Sequence, residues 1–529
     1  MSTRLPLAGV LRLGRPSDIW FKPALSVVVA VAPPNLTLLA LGRLDLAMYT
    51  MAGSLCALYA HNRPYAARAR ALAWVVLGMV AGLGVGLVAA SLTGSAVVLV
   101  TVGALVAAVQ KTLCDATRIG PPGHVVLTFI SSASLFAPQT LAQVPGHLAL
   151  ALAAGAWAWL IGMAPGLLRP HGPERRATAH ALNAAAAHVR SPSAHTGRTA
   201  HAAVQAAWHT LLAAGTRSET RRALEGLVVR AETALAAPAD ADPDRLRAWA
   251  RALRGNGEVP RTPYDDELLG VDIELAVPGR PWWRALGPLA PIAVRTTVGC
   301  ALAGYASLAL GVGRPYWALV TAASLYQANV TLTWSRGVQR VVGNLLGVLV
   351  FAAVAPLAHL GPAALVLCCL AFNFGAEALI SRNYWLGSIC VTPMALLVTE
   401  FAGHQEPGRL ITERLVDTLV GALVGFVAAV AVTNRRAGDR VEQALAAVEG
   451  ARERTARLVA EPRTEPGVLD HARRVLAAAL VDLRATVEAA SGEWWQRALP
   501  EERVVRAERA GHRTLAATVR HHRTEGARA

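Results

Sequence analysis

The sequence predicts an all-α, polytopic membrane protein with two parallel six-helix transmembrane repeats, each followed by a soluble helical segment. Three observations carry this. Of the 529 residues, 54% are hydrophobic and only 16% charged, too few charges for a water-soluble enzyme throughout. The apolar residues are gathered into long runs. The basic residues, nearly all arginine (Lys22 and Lys111 are the only lysines), punctuate those runs. A net charge of +16 would suit a nucleic-acid binder, but such proteins place it on a polar folded surface, so no nucleic-acid partner is expected.

About 20 apolar residues are needed to cross roughly 30 Å of hydrocarbon. The chain opens with Arg4, Arg12, Arg15 and Lys22, then gives six apolar runs at 24–42, 44–61, 72–92, 94–113, 122–140 and 145–168. The first run reads as a span rather than a cleavable leader. Pro33 and Pro34 interrupt it, as a kink, an early end, or a broken helix that offers carbonyls to a substrate. Residues 169–287 are polar. Those at 174–237 form loosely periodic helix with His180, His188, His195, His201 and His209, whose spacing suits solvated faces rather than a metal site. The acidic stretch Asp265, Asp266, Glu267, Asp272 and Glu274 reads as a linker or as a mate for basic loops. Six further runs follow at 288–311, 314–331, 340–358, 361–380, 384–403 and 411–433. The tail from 435 carries amphipathic helices at 437–460, 466–490 and 500–522. The domain plan is thus 1–168, 169–287, 288–434 and 435–529.

Arginine placement orients the plan. Alternate loops carry His61, Arg63, Arg68 and Arg70; Lys111 and Arg118; Arg169, Arg175 and Arg176; Arg280 and Arg284; Arg336 and Arg340; Arg382; Arg435 and Arg436. The other loops hold only Arg43, Arg314 and Arg409. Positive loops stay inside, which predicts a multi-pass cell-membrane protein with cytoplasmic termini. Trp20, Phe21, Trp282, Trp283, Tyr384 and Trp385 mark the interfaces. Gly42-Arg43, Leu46-Ala47-Met48, Arg70 and Leu77-Gly78 have counterparts in Gly313-Arg314, Trp317-Ala318-Leu319, Arg340 and Leu346-Gly347. Because six is even, copies of this kind are related by an axis along the membrane normal, a transporter architecture.

Ionisable residues within spans are costly and are candidates for function. Arg295, followed by Thr296 and Thr297, suits a substrate carboxylate, or snorkels to headgroups. Glu413 and Asp417 share a helix face beside Arg414 and are candidates for proton coupling; a structural Arg–Asp pair competes with that reading. Arg336 and Arg340 lie one turn apart and can gather anions at a pore mouth. Tyr316, Trp317 and Tyr326 can stack on an aromatic substrate. Glu377 near Arg382 reads as a solvated ion pair at a helix end. The six cysteines lie in or beside apolar runs and read as packing residues. There is no phosphate-binding Gly-rich loop, no His-Glu-x-x-His and no Gly-x-Ser-x-Gly, so neither a cofactor nor enzymatic activity is expected, and energy must come from a gradient or a partner.

The second half carries Arg314-Pro-Tyr-Trp-Ala-Leu-Val-Thr-Ala322, Gln327, Ser335-Arg-Gly-Val-Gln-Arg-Val-Val-Gly343, Leu346-Gly347, Arg382-Asn-Tyr-Trp385, Thr392-Pro393 and Arg414-Leu-Val-Asp-Thr-Leu-Val-Gly421. Over 288–435 this resembles the fusaric acid resistance protein-like (FUSC) family, which includes bacterial aromatic acid exporters and is related to plant malate channels. The resemblance implies a gradient-driven efflux transporter of organic anions, aromatic carboxylic acids foremost, embedded in the lipid bilayer. It leaves room for a homo-oligomer, and Gram-negative members often work with a periplasmic adaptor subunit that nothing in this chain indicates. A passive anion channel and a membrane-anchored scaffold that transports nothing are the competing readings.

Overall fold

The computed structural model describes residues 5, 7–14, 16, 19–214, 218–236, 238–255, 257–261, 286–401, 403, 405–432, 437–461, 466–493 and 499–526. Arg4, Arg15, the acidic stretch at 265–274, Arg280, Trp282, Trp283, Arg284, Arg435 and Arg436 lie outside them. The described chain is helical throughout, with no strand among these residues.

The first half holds α1 (Phe21–Ala40), α2 (Ala47–Ser54, continued as a 3-10 turn to Leu58), α3 (Tyr65–Leu92), α4 (Ala96–Thr117), α5 (Val125–Ser134), α6 (Val144–Met163) and the short α7 (Pro165–Leu168). Four polar helices follow: α8 (Gly172–Arg190), α9 (Ala194–Ala213), α10 (Glu219–Ala236) and α11 (Pro243–Ala252). The second half holds α12 (Leu286–Ala309), α13 (Tyr316–Leu325), α14 (Val330–Ala358), α15 (Pro362–Ile380), α16 (Tyr384–Glu400) and α17 (Pro407–Ala431). The tail forms α18 (Ala437–Ala460), α19 (Pro466–Ser491) and α20 (Glu501–Gly526).

All twelve expected apolar runs are helical, but they are not twelve full spans. Eight described helices are long and apolar enough to cross a membrane; the apolar helices Leu44–Leu58, Val125–Ser134, Tyr316–Leu325 and Tyr384–Glu400 have only 10–17 residues. A ten-residue helix is about 15 Å long, half the hydrocarbon thickness. The rest of such a path runs as non-helical backbone, tolerable at membrane depth only where protein or a cavity surrounds it. The backbone after α2 turns extended at Tyr59 (ψ 154°), and after α13 at Tyr326 (ψ 111°). Asn329 then restarts the chain as the cap of α14, its side chain accepting from Leu332 N at 2.8 Å. Hydropathy misses these breaks because Tyr59 and Tyr326 are buried and extend the apolar runs that precede them.

Both halves run long, short, long, long, short, long. α1 packs on α15 of the other half, and α12 on α4. In both halves the third helix meets the fifth through glycines four residues apart. A Cβ on Gly86 would press on Ser131 and Ser134 of α5 and one on Gly82 would touch Ser131 while pressing on Gln110 of α4; one on Gly343 or Gly347 would press on Ser388 or Thr392 of α16.

The proline pair does not break α1, which is continuous with Pro33 and Pro34 inside it. Pro33 has no N–H for the carbonyl of Val29, four residues earlier. Trp157 Nε1 of α6 donates to that oxygen instead, at 3.2 Å.

The polar helices form two apolar-centred clusters, α8–α11 around Leu182, Trp208 and Leu227, and α18–α20 around Leu445, Leu476 and Leu483. They join through α9 with α19 and α10 with α20. Both leave the bundle from one face, termed the polar-helix face below. His201 stacks on His512 across this junction, ring centres 4.2 Å apart. Burial, with the neighbouring His512 charge adding to it, pulls His201 down to about 3. Among the described residues no group of three or more His, Cys, Asp or Glu side chains could hold a metal ion.

Candidate functional site

The half-length helices end against one another. His124, just before α5, bonds through Nε2 to the carbonyl of Ala323 in the last turn of α13, at 3.0 Å. Tyr59, just past α2, donates from Oη to Gly123 O at 2.7 Å. Beyond these ends the bundle is hollow. A cavity of about 1470 Å³ is lined by His61, His124, Ser324, Gln327 and residues of α4, α12, α14, α15, α16 and α17, together with one face of α19.

Among the arginines that line this cavity, three come from α14 and α17. The Arg336 guanidinium sits 3.9 Å from the ring centre of Tyr384, and Arg340 Nη1 donates to Tyr384 Oη at 3.0 Å. Their spacing of four residues on α14 puts both on one face, which meets the start of α16 where Asn383 Oδ1 caps the helix. Arg414 comes from α17 and is 1% exposed. Its guanidinium lies over Trp317, 5.2 Å from the ring centre, and neither Nε nor Nη1 has a hydrogen-bond partner. Arg340 Nε is also unpartnered. Buried donors are normally satisfied, so these mark a place where a ligand can supply acceptors.

The lining carboxylates are already engaged, with one exception. Asp115 receives Lys111 Nζ at 2.6 Å, Glu493 receives Arg295 Nη2 at 3.1 Å, and Asp482 stands 3.8 Å from Arg118. Glu377 has no ion-pair partner among the described residues; it does not pair with Arg382. The cavity therefore offers more unpaired positive charge than negative.

The structure brings Arg295, Arg336, Arg340 and Arg414 to one cavity and leaves the other sequence candidates outside its lining. Tyr316 is buried and stacks on Phe136 of the first half, centroids 5.8 Å apart. Tyr326 is fully buried against Gly299, where a Cβ would overlap its hydroxyl. Trp317, also fully buried, is approached by two guanidiniums, that of Arg414 and that of Arg314 from the loop preceding α13, the latter 5.3 Å from the ring centre. Glu413 is held by Arg314 and by Arg409 Nε at 2.9 Å, an ion-pair cluster at the face opposite the polar helices. Asp417 makes no ion pair with Arg414; Ser307 of α12 donates to its Oδ1 at 2.6 Å, and Oδ2 has no partner.

Two site residues escape the sequence reading. Tyr384, taken there as an interface anchor, is the platform for Arg336 and Arg340. Glu493 lies 198 residues from the arginine it binds; the available signal was its place beside Trp494 and Trp495 in an otherwise polar tail.

Comparison with known proteins agrees with this architecture. The uncharacterized membrane protein YvaC of Bacillus subtilis (strain 168) is 26% identical over 457 residues, covering 76% of this chain and 71% of its own. No solved structure matches the chain. Residues 301–428, spanning most of α12 through α17 and so including Arg336, Arg340, Tyr384 and Arg414, match the fusaric acid resistance protein-like family. The chain is a multi-pass membrane protein whose residues 301–428 are similar to the fusaric acid resistance protein-like family.

Proposed function

We propose that this protein moves small organic anions across the cell membrane, outward, along a gradient, with aromatic carboxylic acids as its substrates. The observation that carries the reading is Arg414: a guanidinium 1% exposed in a membrane helix, with two donor nitrogens unpartnered, lining the same cavity as Arg336 and Arg340. A charge at such depth costs about 2.5–3.5 kcal/mol on insertion scales and marks function by default. A guanidinium fork matches a carboxylate, and Arg336 and Tyr384 add a flat surface on which an aromatic ring can lie.

Trp317 favours a gated carrier over an open pore. Its fully buried ring contacts both Arg414, which lines the cavity, and Arg314 of the loop preceding α13, so passage along this line requires the ring to move. Asp417, with one oxygen unsatisfied, is the coupling candidate that survives; Glu413, clamped by two arginines, serves the closed conformation. The shared helix order and the reciprocal packing of α1 on α15 and α12 on α4 support two parallel repeats at 1–168 and 288–434, with the polar helices of 169–287 and 435–529 attached. The basic loops fall on the polar-helix face, which supports a cytoplasmic position for that face and for both termini.

The test is binding of labelled hydroxybenzoate to the purified protein. Saturable binding that Arg414→Gln abolishes supports the reading. Binding at wild-type affinity in Arg414→Gln refutes this site, and no binding of any aromatic or aliphatic carboxylate refutes the substrate class.

A further inference from the structure

The tail helices α18–α20 pack on one another and on α9 and α10 rather than along the membrane helices. Their link to the bundle is concentrated at the end of α19. Thr331 N and Oγ1 of α14 both donate to Gly492 O at 3.1 Å, and Asn329 Nδ2 donates to Glu488 O at 3.2 Å. A Cβ on Gly492 would stand 2.3 Å from Asn329 Oδ1, so this approach needs glycine. One residue further, the carboxylate of Glu493 accepts from Arg295 Nη2 at 3.1 and 3.3 Å, while Arg295 Nε donates to Val432 O at 3.0 Å. The two side chains of this pair are only 2% and 1% exposed. A further charged contact, Arg118 with Asp482, is 86% and 61% exposed and weak by comparison.

Two features make this more than a strut. Arg295 lines the same cavity as Arg336, Arg340 and Arg414, and α19 forms part of the cavity wall through Asp482, Ala485, Thr486, Ala489 and Glu493. The group that Arg295 holds has the chemistry of the proposed substrate, a carboxylate, delivered by the end of the tail's second helix.

We propose that Arg295 is a carboxylate-receiving site at the cavity mouth, occupied in this conformation by the chain's own Glu493, and that an incoming organic carboxylate exchanges with Glu493 and releases the end of α19. This rests on the organic-anion reading above. Being tethered, Glu493 competes at an effective concentration that a free carboxylate must overcome, so the tail sets a threshold for loading. By linkage, whatever binds in its place weakens tail docking, and whatever undocks the tail strengthens anion binding by the same factor.

The experiment is hydrogen–deuterium exchange of residues 485–493 in the full-length protein with and without hydroxybenzoate, alongside binding of labelled hydroxybenzoate. In the wild type, hydroxybenzoate speeds exchange of this segment. In Glu493→Gln exchange is fast without ligand, and half-saturation falls about fivefold or more, the low end of ordinary coupling. Because Glu493→Gln leaves Arg295 without its partner, a second variant guards against a folding effect. Arg295→Met/Glu493→Leu removes both charges together, and in it exchange of 485–493 no longer responds to hydroxybenzoate. The proposal is overturned by hydroxybenzoate binding to the wild type without change in that segment, by a persisting response in the double variant, or by wild-type exchange and affinity in Glu493→Gln. If the wild type binds no carboxylate at all, the organic-anion reading itself fails and the exchange proposal falls with it.

Discussion

Arg414 and Arg295 are both buried arginines of membrane helices lining one cavity, yet their removal has opposite consequences for stability. Arg295 is paired, so Arg295→Met orphans the Glu493 carboxylate; breaking a buried pair costs about 3–5 kcal/mol. Arg414 Nε and Nη1 have no partner, so Arg414→Met orphans nothing and removes an uncompensated charge; the protein is as stable as the wild type or more so. Binding tells the reverse story. Hydrogen bonds to a charged group contribute about 1.5–3 kcal/mol each, and Arg414 has two free donors for a carboxylate. Arg414→Lys keeps the charge but loses the fork, costing about one such bond, or about 10- to 150-fold in affinity. Arg414→Met loses both. The assay is a thermal-unfolding midpoint in detergent together with labelled hydroxybenzoate binding. A large drop in midpoint for Arg414→Met, or affinity in Arg414→Lys equal to wild type, would refute the reasoning, because either result means that Arg414 is already satisfied within the protein.

Three further outcomes are expected. Gly347→Val places a Cβ 2.6 Å from Thr392 Cβ and 3.0 Å from Ile389 O, so α14 and α16 must part; overpacking of this kind costs about 1–3 kcal/mol, whereas Gly78→Ala, with nothing within 4 Å, leaves the midpoint unchanged. A similar midpoint for both variants would contradict the packing. Trp317→Ala removes the ring that contacts Arg314 and Arg414 and yields flux that is faster and no longer saturates; wild-type saturable flux would show that Trp317 is not the barrier. The contact of α9 with α20 weakens in acid. A histidine whose folded value is lowered to about 3 takes up its proton more readily when unfolded, so stability is complete above about 6.5 and declines as pH falls from there toward 3. At pH 5 His201 alone accounts for about 2 kcal/mol. Hydrogen exchange of α9 and α20 at pH 7.5 and pH 5, corrected for the intrinsic amide rate at each pH, measures it, and a protection factor unchanged between the two would contradict the buried neutral pair.

Much of this molecule was legible in its sequence, for identifiable reasons. Each apolar run is a helix because in hydrocarbon the backbone must bond to itself. What hydropathy could not supply was length, since Tyr326 continues an apolar run while its backbone leaves the helix. The half-length helices, and hence the cavity, were invisible for that reason. Arg414 stood out as a charge within an apolar run and Arg336 and Arg340 as a basic pair one turn apart in a loop, and the structure brings all three to the cavity. Tyr316, Trp317 and Tyr326 carried the same kind of signal and turn out to be packed. An aromatic at a helix end looks alike whether it faces a ligand or a neighbouring helix. The partner of Arg295 was out of reach because the link from residue 295 to residue 493 is made only by folding the tail back on the bundle.

The central claim is that the cavity carries an organic carboxylate across the membrane on Arg340 and Arg414. Uptake of labelled hydroxybenzoate into inside-out vesicles containing the full-length protein tests it most directly. The account predicts saturable uptake above that of empty vesicles, accumulation when a pH gradient is imposed, and loss of both in Arg414→Gln at equal protein abundance. Uptake no greater than in empty vesicles, or undiminished in Arg414→Gln, would contradict it.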